Sequence, residues 1–448
     1  MSSDVLPRRV HAGYALGSLA TGAFGTVPGL LLLPYLTDTL GVAAGMAGLL
    51  VLLPKAWDVL INPLAGRISD RTVSRWGARR PYLLVAGLGV ALLFASIFAA
   101  PFRQNSDLYT AAAFLATATA YAFFQVPYVA MPAELTTDHA ERTRLMTWRI
   151  AVLALAILVS GAVAPLVVSA TGGGLSGHRW MGVFVGALIA AGAVGAFLGT
   201  AGAPTGRVEE SEPSLRAQLR VATANRPFRL LLVCFVIQAA GIATVLAGVN
   251  YFAEQVLERP DDGPTLLFAC FVGPALLVMP VWRRVGARVG KPRAFVVASL
   301  LFAGGALALV AAPVLSPVAV YLLVAVIGVG YAGEQVFAMA LLPDCIADDE
   351  ARTGRRQAGV FTGLWTAGET FGLALGPGLF ALVLQLFGYV SSDTGVAAAQ
   401  TGGAKLGVLL GFTVLPAVIV AFPLLLMRGW SLSRPDSTRS VPVAPARP

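Results

Sequence analysis

The segment KAWDVLINPLAGRISDRTVSRWGARRP, residues 55–81, decides the fold. Its first half is apolar but carries Lys55, Asp58 and Asn62, at spacings of three and seven residues that place them on one helical face. Its second half is a short loop rich in arginine: Arg67, Arg71, Arg75, Arg79 and Arg80. A charged helix face at membrane depth, followed by a basic loop, is typical of a polytopic transporter.

The overall composition is that of an integral membrane protein. Of 448 residues, 57% are hydrophobic and 12% are charged, whereas average globular chains carry about 25% charged residues. The net charge of +9 does not indicate a nucleic-acid partner, because the arginines lie in short loops between apolar stretches, where membrane topology requires them. Three cysteines without metal-ligand spacing are expected to be packing residues: Cys234, Cys270 and Cys345.

Apolar stretches of about 20 residues, the length that crosses a bilayer, predict twelve spans. The expected spans are 12–37, 42–65, 81–101, 107–131, 146–170, 180–201, 228–254, 264–285, 293–313, 317–343, 357–387 and 404–427. The N-terminal stretch is too long for a signal-peptide core and is interpreted as the first retained helix.

Charge in the loops predicts the orientation. With both termini cytoplasmic, 27 of the 32 Lys and Arg residues lie at the inner ends of the spans, and Lys55 lies within one. The outer loops hold four: Arg103, Arg179, Arg259 and Lys405. Because inner loops carry the excess of basic residues, we expect a multi-pass protein of the plasma (inner) membrane with both termini cytoplasmic.

A polar segment, RVEESEPSLRAQLRVATANRP at 207–227, divides the spans into two sets of six. We expect an N-terminal six-helix bundle at 1–201, a cytoplasmic linker at 202–227, a C-terminal bundle at 228–427 and a disordered tail at 428–448. The loop RWGARRP at 75–81 after the second span is echoed by RVGKPR at 288–293 after the eighth. The predicted fold is therefore all-α, with twelve transmembrane helices in two pseudo-symmetric halves, as in major-facilitator transporters.

Several short motifs resemble one family, the glycoside–pentoside–hexuronide:cation symporters, the melibiose-permease branch of the major facilitator superfamily. They are Tyr35-Leu36-Thr37-Asp38, Trp57-Asp58 with Asn62-Pro63, Arg75-Trp76-Gly77 with Arg80-Pro81, Pro127-Tyr128, Glu141-Arg142 with Arg149, and Asp344 with Arg355-Arg356. The resemblance implies twelve helices, a sugar or related substrate, and coupling to sodium, lithium or protons.

The resemblance also implies a cation site in the second helix, where melibiose permease has two aspartates four residues apart. The first matches Asp58, but Asn62 stands at the second position. The two carboxylates that grip a galactoside in that family fall on Gly22 and Gln125, and a lysine of the eleventh helix falls on Thr370. These departures argue against a galactoside, and they weaken the case for sodium, which needs several oxygen ligands.

Asp58 is the principal candidate for cation coupling, because a carboxylate inside a bilayer typically marks a pathway or a proton relay. Asn62 and Lys55 lie beside it on the same face. The alternative is an ion pair between Lys55 and Asp58 that only holds the helix in place.

Candidate solute contacts lie in four spans. Glu334 and Glu369 are acids at membrane depth, suited to carry a proton or bind a solute, or else to form a hydrogen bond between helices. Gln125 with Tyr128, and Trp365 with Glu369, lie one helical turn apart; such pairs suit a sugar but also occur in ordinary packing. Arg149 is either the counterpart of a family arginine or an arginine that anchors the topology at the membrane surface.

The loop after the second span carries the conformational candidates. Asp70 is expected to form a cytoplasmic charge network that holds one conformational state, together with Arg71, Arg75, Arg79 and Arg80. The alternative is that these residues are solvated topology signals.

These features predict a secondary active transporter that moves a small solute, a sugar or glycoside, by alternating access, coupled to a proton ahead of sodium. No Gly-Lys-Ser/Thr phosphate loop and no nucleophile or metal constellation is present, so we expect neither an enzyme nor a cofactor. The expected partners are the solute and the lipid bilayer, with the chain acting as a monomer. The alternatives are an exporter or lipid-type carrier of amphipathic compounds, a membrane-embedded enzyme, or a non-transporting scaffold.

Overall fold

A computed structural model describes residues 6–101, 106–136, 139–202, 224–353, 358–392 and 398–428. The first six helices are α1 (Arg8–Val27), α2 (Ala44–Asp70), α3 (Arg80–Ile97), α4 (Ser106–Leu135), α5 (His139–Ala170) and α6 (Gly174–Gly199). Two π-helical segments, Pro28–Leu32 and Tyr35–Thr39, continue α1.

The second six begin with α7 (Arg226–Gln255) and α8, which has two segments, Gly263–Leu277 and Met279–Val289. They continue with α9 (Lys291–Ala308, extended by a 3₁₀ turn at Leu309–Val314), α10 (Pro317–Thr353) and α11 (Ala358–Leu386). The last, α12, consists of Gly402–Phe412, Val414–Ala421 and Leu424–Met427.

The helices match the predicted spans one for one. Within the described residues, ten helices are long and apolar enough to cross a membrane, and the two segments of α8, bent by 53°, make an eleventh. The remaining helix, α2, is 27 residues long and contains a shorter apolar stretch, Ala44–Pro54, before the polar face that begins at Lys55. The prediction of an all-α polytopic protein is confirmed.

Helix ends and breaks differ from the prediction in ways that follow from local chemistry. The tenth span was expected to end near 343, but α10 continues to Thr353, where the exposed Arg352 binds the buried Asp349 at 2.8 Å and stabilises the last turn. Proline interrupts α8, where Pro280 lies in the first turn of the second segment and cannot donate the backbone hydrogen bond that would continue the helix.

Small residues set the closest approaches within each set of six. A Cβ atom on Gly13 of α1 or on Gly199 of α6 would overlap the backbone of the other, so the two helices cross at these glycines. Gly372 and Gly376 of α11 lie likewise against α7. Close packing through small residues is typical of membrane helices.

The two sets of six meet through α2 with α11, α5 with α8, and the first π-helical segment with α7. Gly48 of α2 lies against Ala381 of α11, and Gly161 of α5 lies against the ring of Phe268 in α8. Asn250 of α7 donates a hydrogen bond of 2.7 Å to the carbonyl of Leu30. These contacts lie toward the end of the bundle where α1 ends and α2 begins, which is the predicted outer side.

The predicted domain boundaries stay a prediction. Most of the linker expected at 202–227 falls on residues 203–223, and most of the tail expected at 428–448 falls on residues 429–448, both outside the described residues.

Candidate functional site

Asp58 lies in the middle of α2 with only 6% of its surface exposed, and Asn62, one turn later, is half-buried. The neighbouring Trp57 donates a hydrogen bond of 3.0 Å from Nε1 to Oγ1 of Thr119, which holds this part of α2 against α4. The side chain of Lys55 lies outside the described residues, so the Lys55–Asp58 ion pair stays a prediction.

The face of α4 opposite Asp58 is aromatic and polar. Tyr121 is buried within electrostatic range of both Asp58 and Arg149, and its ring stacks on Phe24 of α1 with centroids 3.9 Å apart. Tyr121 of α4 therefore lies near both the acid of α2 and the base of α5, and it is a residue that the sequence did not single out.

Tyr128 clamps α4 to α1. Its hydroxyl donates 2.7 Å to the carbonyl of Tyr14 and therefore accepts the hydrogen bond of 2.9 Å from Ser18, since a phenol has one proton to give. In return, the hydroxyl of Tyr14 donates 3.2 Å to the carbonyl of Tyr128, and the two rings stack at 4.7 Å. Tyr128 is thus first a structural residue, although its ring still faces Arg149.

Arg149 places a positive charge within the first six helices, near the cytoplasmic end of the predicted fifth span at 146–170. It lies ten residues into α5, about 15 Å from the helix start, and its guanidinium carbon is 5.3 Å from the centroid of the Tyr128 ring. Its buried Nε has no hydrogen-bond partner among the described residues. An arginine that stacks on a tyrosine and keeps a free N–H can bind an oxygen of a solute.

The two remaining candidates in this half, Gln125 and Gly22, differ in burial and in their neighbours. Gln125, one turn before Tyr128, is half-buried. Gly22 is buried, and a Cβ atom there would meet Ala156 and the carbonyl of Leu153 on α5, so the structure places it in a helix crossing.

The candidates of the second six helices lie around Tyr331 of α10. Glu334 has 2% of its surface exposed, and both it and the half-buried Glu369 lie within electrostatic range of the Tyr331 hydroxyl. Thr370 donates 3.0 Å to the carbonyl of Thr366 within its own helix.

Trp365 is fully buried and stacks on Phe235 of α7 with ring centroids 4.1 Å apart. Its Nε1 has no hydrogen-bond acceptor among the described residues. The stacking identifies Trp365 as a packing residue between α11 and α7, and its indole N–H remains an unpaired donor among the described residues.

The arginines of the loop after α2 have separate partners. Arg79 donates from Nε to Glu134 of α4 at 2.8 Å and from Nη1 to Ser69 at 2.6 Å. Arg80 donates 2.8 Å to the carbonyl of Phe197 at the end of α6 and stacks on that ring at 4.7 Å.

The other members of the predicted network are peripheral: Arg71 is exposed, Arg75 stacks on Trp76 at 4.9 Å, and the side chain of Asp70 lies outside the described residues. Among the described side chains of the predicted network, Arg79 and Arg80 are therefore the ones that bind other helices. Glu134, the acid that Arg79 binds, was missed because it is distant in sequence and follows no motif.

The second half repeats this arrangement. Lys291, after α8, binds Asp344 of α10 with Nζ 2.7 Å from Oδ2. In each half, a base that follows the second helix binds an acid of the fourth helix. This shared contact explains the weak similarity between the loops at 75–81 and 288–293.

No group of three or more His, Cys, Asp or Glu side chains that could hold a metal ion is found in the described part of the chain.

Comparison with known proteins decides the family. The sequence model described as "MFS/sugar transport protein" matches residues 13–434. The chain belongs to this family. The match covers nearly every helix, and the similar proteins include the putative glycoside/cation symporter YagG of Escherichia coli, so the resemblance inferred from the sequence motifs is confirmed.

The similar proteins align with this chain over almost their whole length. The chain is 30% identical to the uncharacterized symporter YnaJ of Bacillus subtilis, over 92% of this chain and 89% of the relative. It is 26% identical to the glucuronide carrier protein homolog of Escherichia coli, over 92% and 91% respectively. Among solved structures, the nucleoside transporter NupG has a TM-score of 0.66 at 16% identity, over 95% of this chain and 99% of that one, which shows the shared fold.

Proposed function

We propose that this member of the MFS/sugar transport family is a secondary active transporter of a sugar or glycoside, coupled to a proton ahead of sodium. The observation that carries the proposal is the placement of Asp58, which is buried at the centre of α2, with Tyr121 of α4 in electrostatic range of both Asp58 and Arg149. An acid buried at membrane depth beside a polar aromatic side chain is the arrangement expected of a coupling site. The relatives named as symporters support the same function.

The contacts between the two sets of six helices support alternating access. They lie toward the predicted outer end, through α2 with α11 and α5 with α8. With both termini cytoplasmic, as the loop charges predict, this is a state closed to the outside. Rocking of one half against the other would exchange these contacts for others at the inner end.

Arg149 points to the chemistry of the solute. Its free Nε and the amide of Gln125 would bind hydroxyl or carboxylate oxygens, and the aromatic rings of α4 would cover an apolar sugar face. A guanidinium binds a carboxylate more strongly than a hydroxyl because the hydrogen bonds are charge-assisted. We therefore expect acidic glycosides, such as hexuronides, to bind more tightly than their neutral counterparts.

A binding screen on the purified full-length protein tests this function. The probes are methyl glucoside and methyl glucuronide as a matched pair, and lysophosphatidylcholine as an amphipathic alternative, each measured by displacement and by counterflow in proteoliposomes. Arg149→Gln should remove the preference for the glucuronide. The affinity for the glucuronide should fall about tenfold, which corresponds to about 1.4 kcal/mol of binding free energy. Arg179→Gln, an exposed arginine at the predicted outer side, is the matched control.

The results separate the alternatives. Binding of lysophosphatidylcholine without either glycoside would favour a lipid-type carrier, and the absence of any counterflow would favour a non-transporting protein. Equal affinities for the two glycosides in the wild type would contradict the role given to Arg149.

A further inference from the structure

The interior of the second six helices contains hydrogen-bond acceptors that lack a donor. Both carboxylate oxygens of Glu334 and the amide oxygen of Gln238 are buried and have no hydrogen-bond partner among the described residues. Each of the two side chains has only 2% of its surface exposed. Three unsatisfied acceptors are costly in an apolar interior, and nothing in the arrangement of helices requires an acid at this position.

The orientation of Gln238 is fixed by its neighbours. Its Nε2 donates to Oγ of Ser299 at 2.9 Å and to the carbonyl of Val420 at 3.3 Å. Because a carbonyl only accepts, the amide nitrogen must lie on that side, and the amide oxygen is left as an acceptor.

Ser299 connects the glutamine to the acid. Its hydroxyl accepts from Gln238, donates 3.0 Å to the carbonyl of Phe295 and lies close enough to interact with Glu334. Gln238, Ser299 and Glu334 lie near the midpoints of α7, α9 and α10, respectively. The acid therefore faces a polar junction of three helices at the middle of the membrane.

The other titratable groups around the junction carry no positive charge. Cys234 of α7 and Tyr331 of α10 lie within electrostatic range of Glu334, and Glu369 of α11 lies beyond Tyr331. The indole of Trp282 in α8 is occupied, since its Nε1 donates 2.8 Å to the carbonyl of Val329. Among the described residues, the groups facing Glu334 thus provide neither a base nor a free donor to balance its carboxylate.

We propose that Glu334 is a second proton-binding site, in which one proton taken up by the carboxylate is donated to the amide oxygen of Gln238. A single proton turns the acid from an acceptor into a donor, which satisfies Glu334 and Gln238 together and removes the buried charge. The site is separate from Asp58, which lies in the first six helices. Its contribution to coupling rests on the proposed function, whereas its proton exchange does not.

Infrared difference spectroscopy of the full-length protein in proteoliposomes tests the proposal directly. Titration from acidic to alkaline pH should show the carbonyl band of a protonated carboxyl group decreasing in the wild type. Glu334→Gln should lose this band while folding normally, because its amide can donate to Gln238 as the protonated acid does. Gln238→Leu should keep the band and shift it to higher frequency, since a hydrogen bond is lost.

Asp58→Asn and Glu369→Gln are the matched controls and should leave the Glu334 band in place. A band that persists unchanged at every pH would overturn the proposal, because the carboxyl would then be a permanently protonated structural group. A band absent at every pH would overturn it equally. Loss of the band on adding sodium chloride at constant pH, but not choline chloride, would assign the site to sodium. A failure to transport glycosides would leave all these spectral outcomes unaffected.

Discussion

The hydroxyl of Tyr389 donates a hydrogen bond of 2.9 Å to Oδ1 of Asp38, and so joins the end of α11 to the π-helical end of α1. Beside it, the hydroxyls of Thr37 and Tyr251 are 2.6 Å apart, and the backbone N–H of Ser392 donates 2.9 Å to the carbonyl of Thr37. The end of α1 is therefore held by both α7 and the segment after α11. These hydrogen bonds close the bundle at the predicted outer side.

Tyr389→Phe should weaken this closure without disturbing the packing of the ring. A lost hydrogen bond of about 1 kcal/mol would raise the population open to the outside roughly fivefold. The measurement is the maleimide labelling rate of Ala44→Cys, a buried position next to the closure, in a background without Cys234, Cys270 and Cys345.

Tyr321→Phe is the matched control for Tyr389→Phe, since the Tyr321 hydroxyl is buried without a hydrogen-bond partner among the described residues. It should leave the labelling rate unchanged. If both variants labelled at the wild-type rate, Tyr389 and Asp38 would not contribute to the closure.

Arg79→Ala should destabilise the protein strongly. Its side chain and that of Glu134 are 9% and 10% exposed, and removing one member of a buried ion pair costs about 3 kcal/mol or more because the other charge stays buried. The comparison is Lys291→Ala, whose pair with Asp344 is 44% and 23% exposed and should contribute less than about 1 kcal/mol.

Melting temperatures of the purified variants measure the difference between Arg79→Ala and Lys291→Ala. The double variant Arg79→Ala/Glu134→Ala should recover part of the loss, since no charge is then left unpaired. Equal melting temperatures for the two single variants would contradict the expectation that Arg79 contributes more to stability than Lys291.

Arg80→Ala should slow transport more than it weakens solute binding. Arg80 binds the end of α6 and lies far from the midplane, so its loss changes the balance between conformations and not the solute contacts. Transport rate and equilibrium affinity are measured on one preparation, with the exposed Arg71→Ala as control. Rate and affinity falling in equal proportion, with expression intact, would argue against a conformational role.

The number of helices and the burial of Asp58 could be predicted from the sequence, whereas its role in coupling stays a prediction. Hydropathy and charge are local properties, and burial of Asp58 follows from its place within an apolar helix. The Tyr389–Asp38 bond could not be predicted, because it joins residues 351 positions apart and neither phenol nor acid has a periodic signal.

The site was predicted less completely than the fold. Glu334 and Glu369 could be predicted as candidates because they are acids at membrane depth. Gln238 and Ser299, the polar neighbours of Glu334, could not, because they are ordinary polar residues in apolar helices. Tyr128 was predicted to be either a sugar contact or a packing residue; its hydroxyl is held by Tyr14 and Ser18, and contact of its ring with a solute stays a prediction. Side-chain partners on other helices depend on rotation about each helix axis, which hydropathy does not determine.

Labelling of single cysteines from outside the cell should reach Asn105→Cys and miss Leu215→Cys. The first position lies in a predicted outer loop, and the second in the predicted cytoplasmic linker, as the asymmetry of 27 inner against four outer basic residues requires. The native cysteines are removed in both variants, and permeabilised cells serve as the control in which both positions react. The reverse pattern would invert the topology, and the closure near Tyr389 would then face the cytoplasm.

Asp58→Asn should abolish proton-driven accumulation of the transported glycoside while leaving exchange at equal concentrations intact. A proton needs only one basic oxygen, which Asp58 provides, whereas sodium needs several oxygen ligands and Asn62 supplies no charge to hold it. Uptake is measured in vesicles with an imposed pH gradient or an imposed sodium gradient, and Asp107→Asn, at the predicted outer start of α4, is the matched control. Because exchange needs only solute binding and conformational change, its retention shows that the variant folds and isolates the coupling step. Accumulation driven by sodium at constant pH, or an Asp58→Asn variant that accumulates glycoside as the wild type does, would leave Asp58 as no more than the structural partner of Lys55.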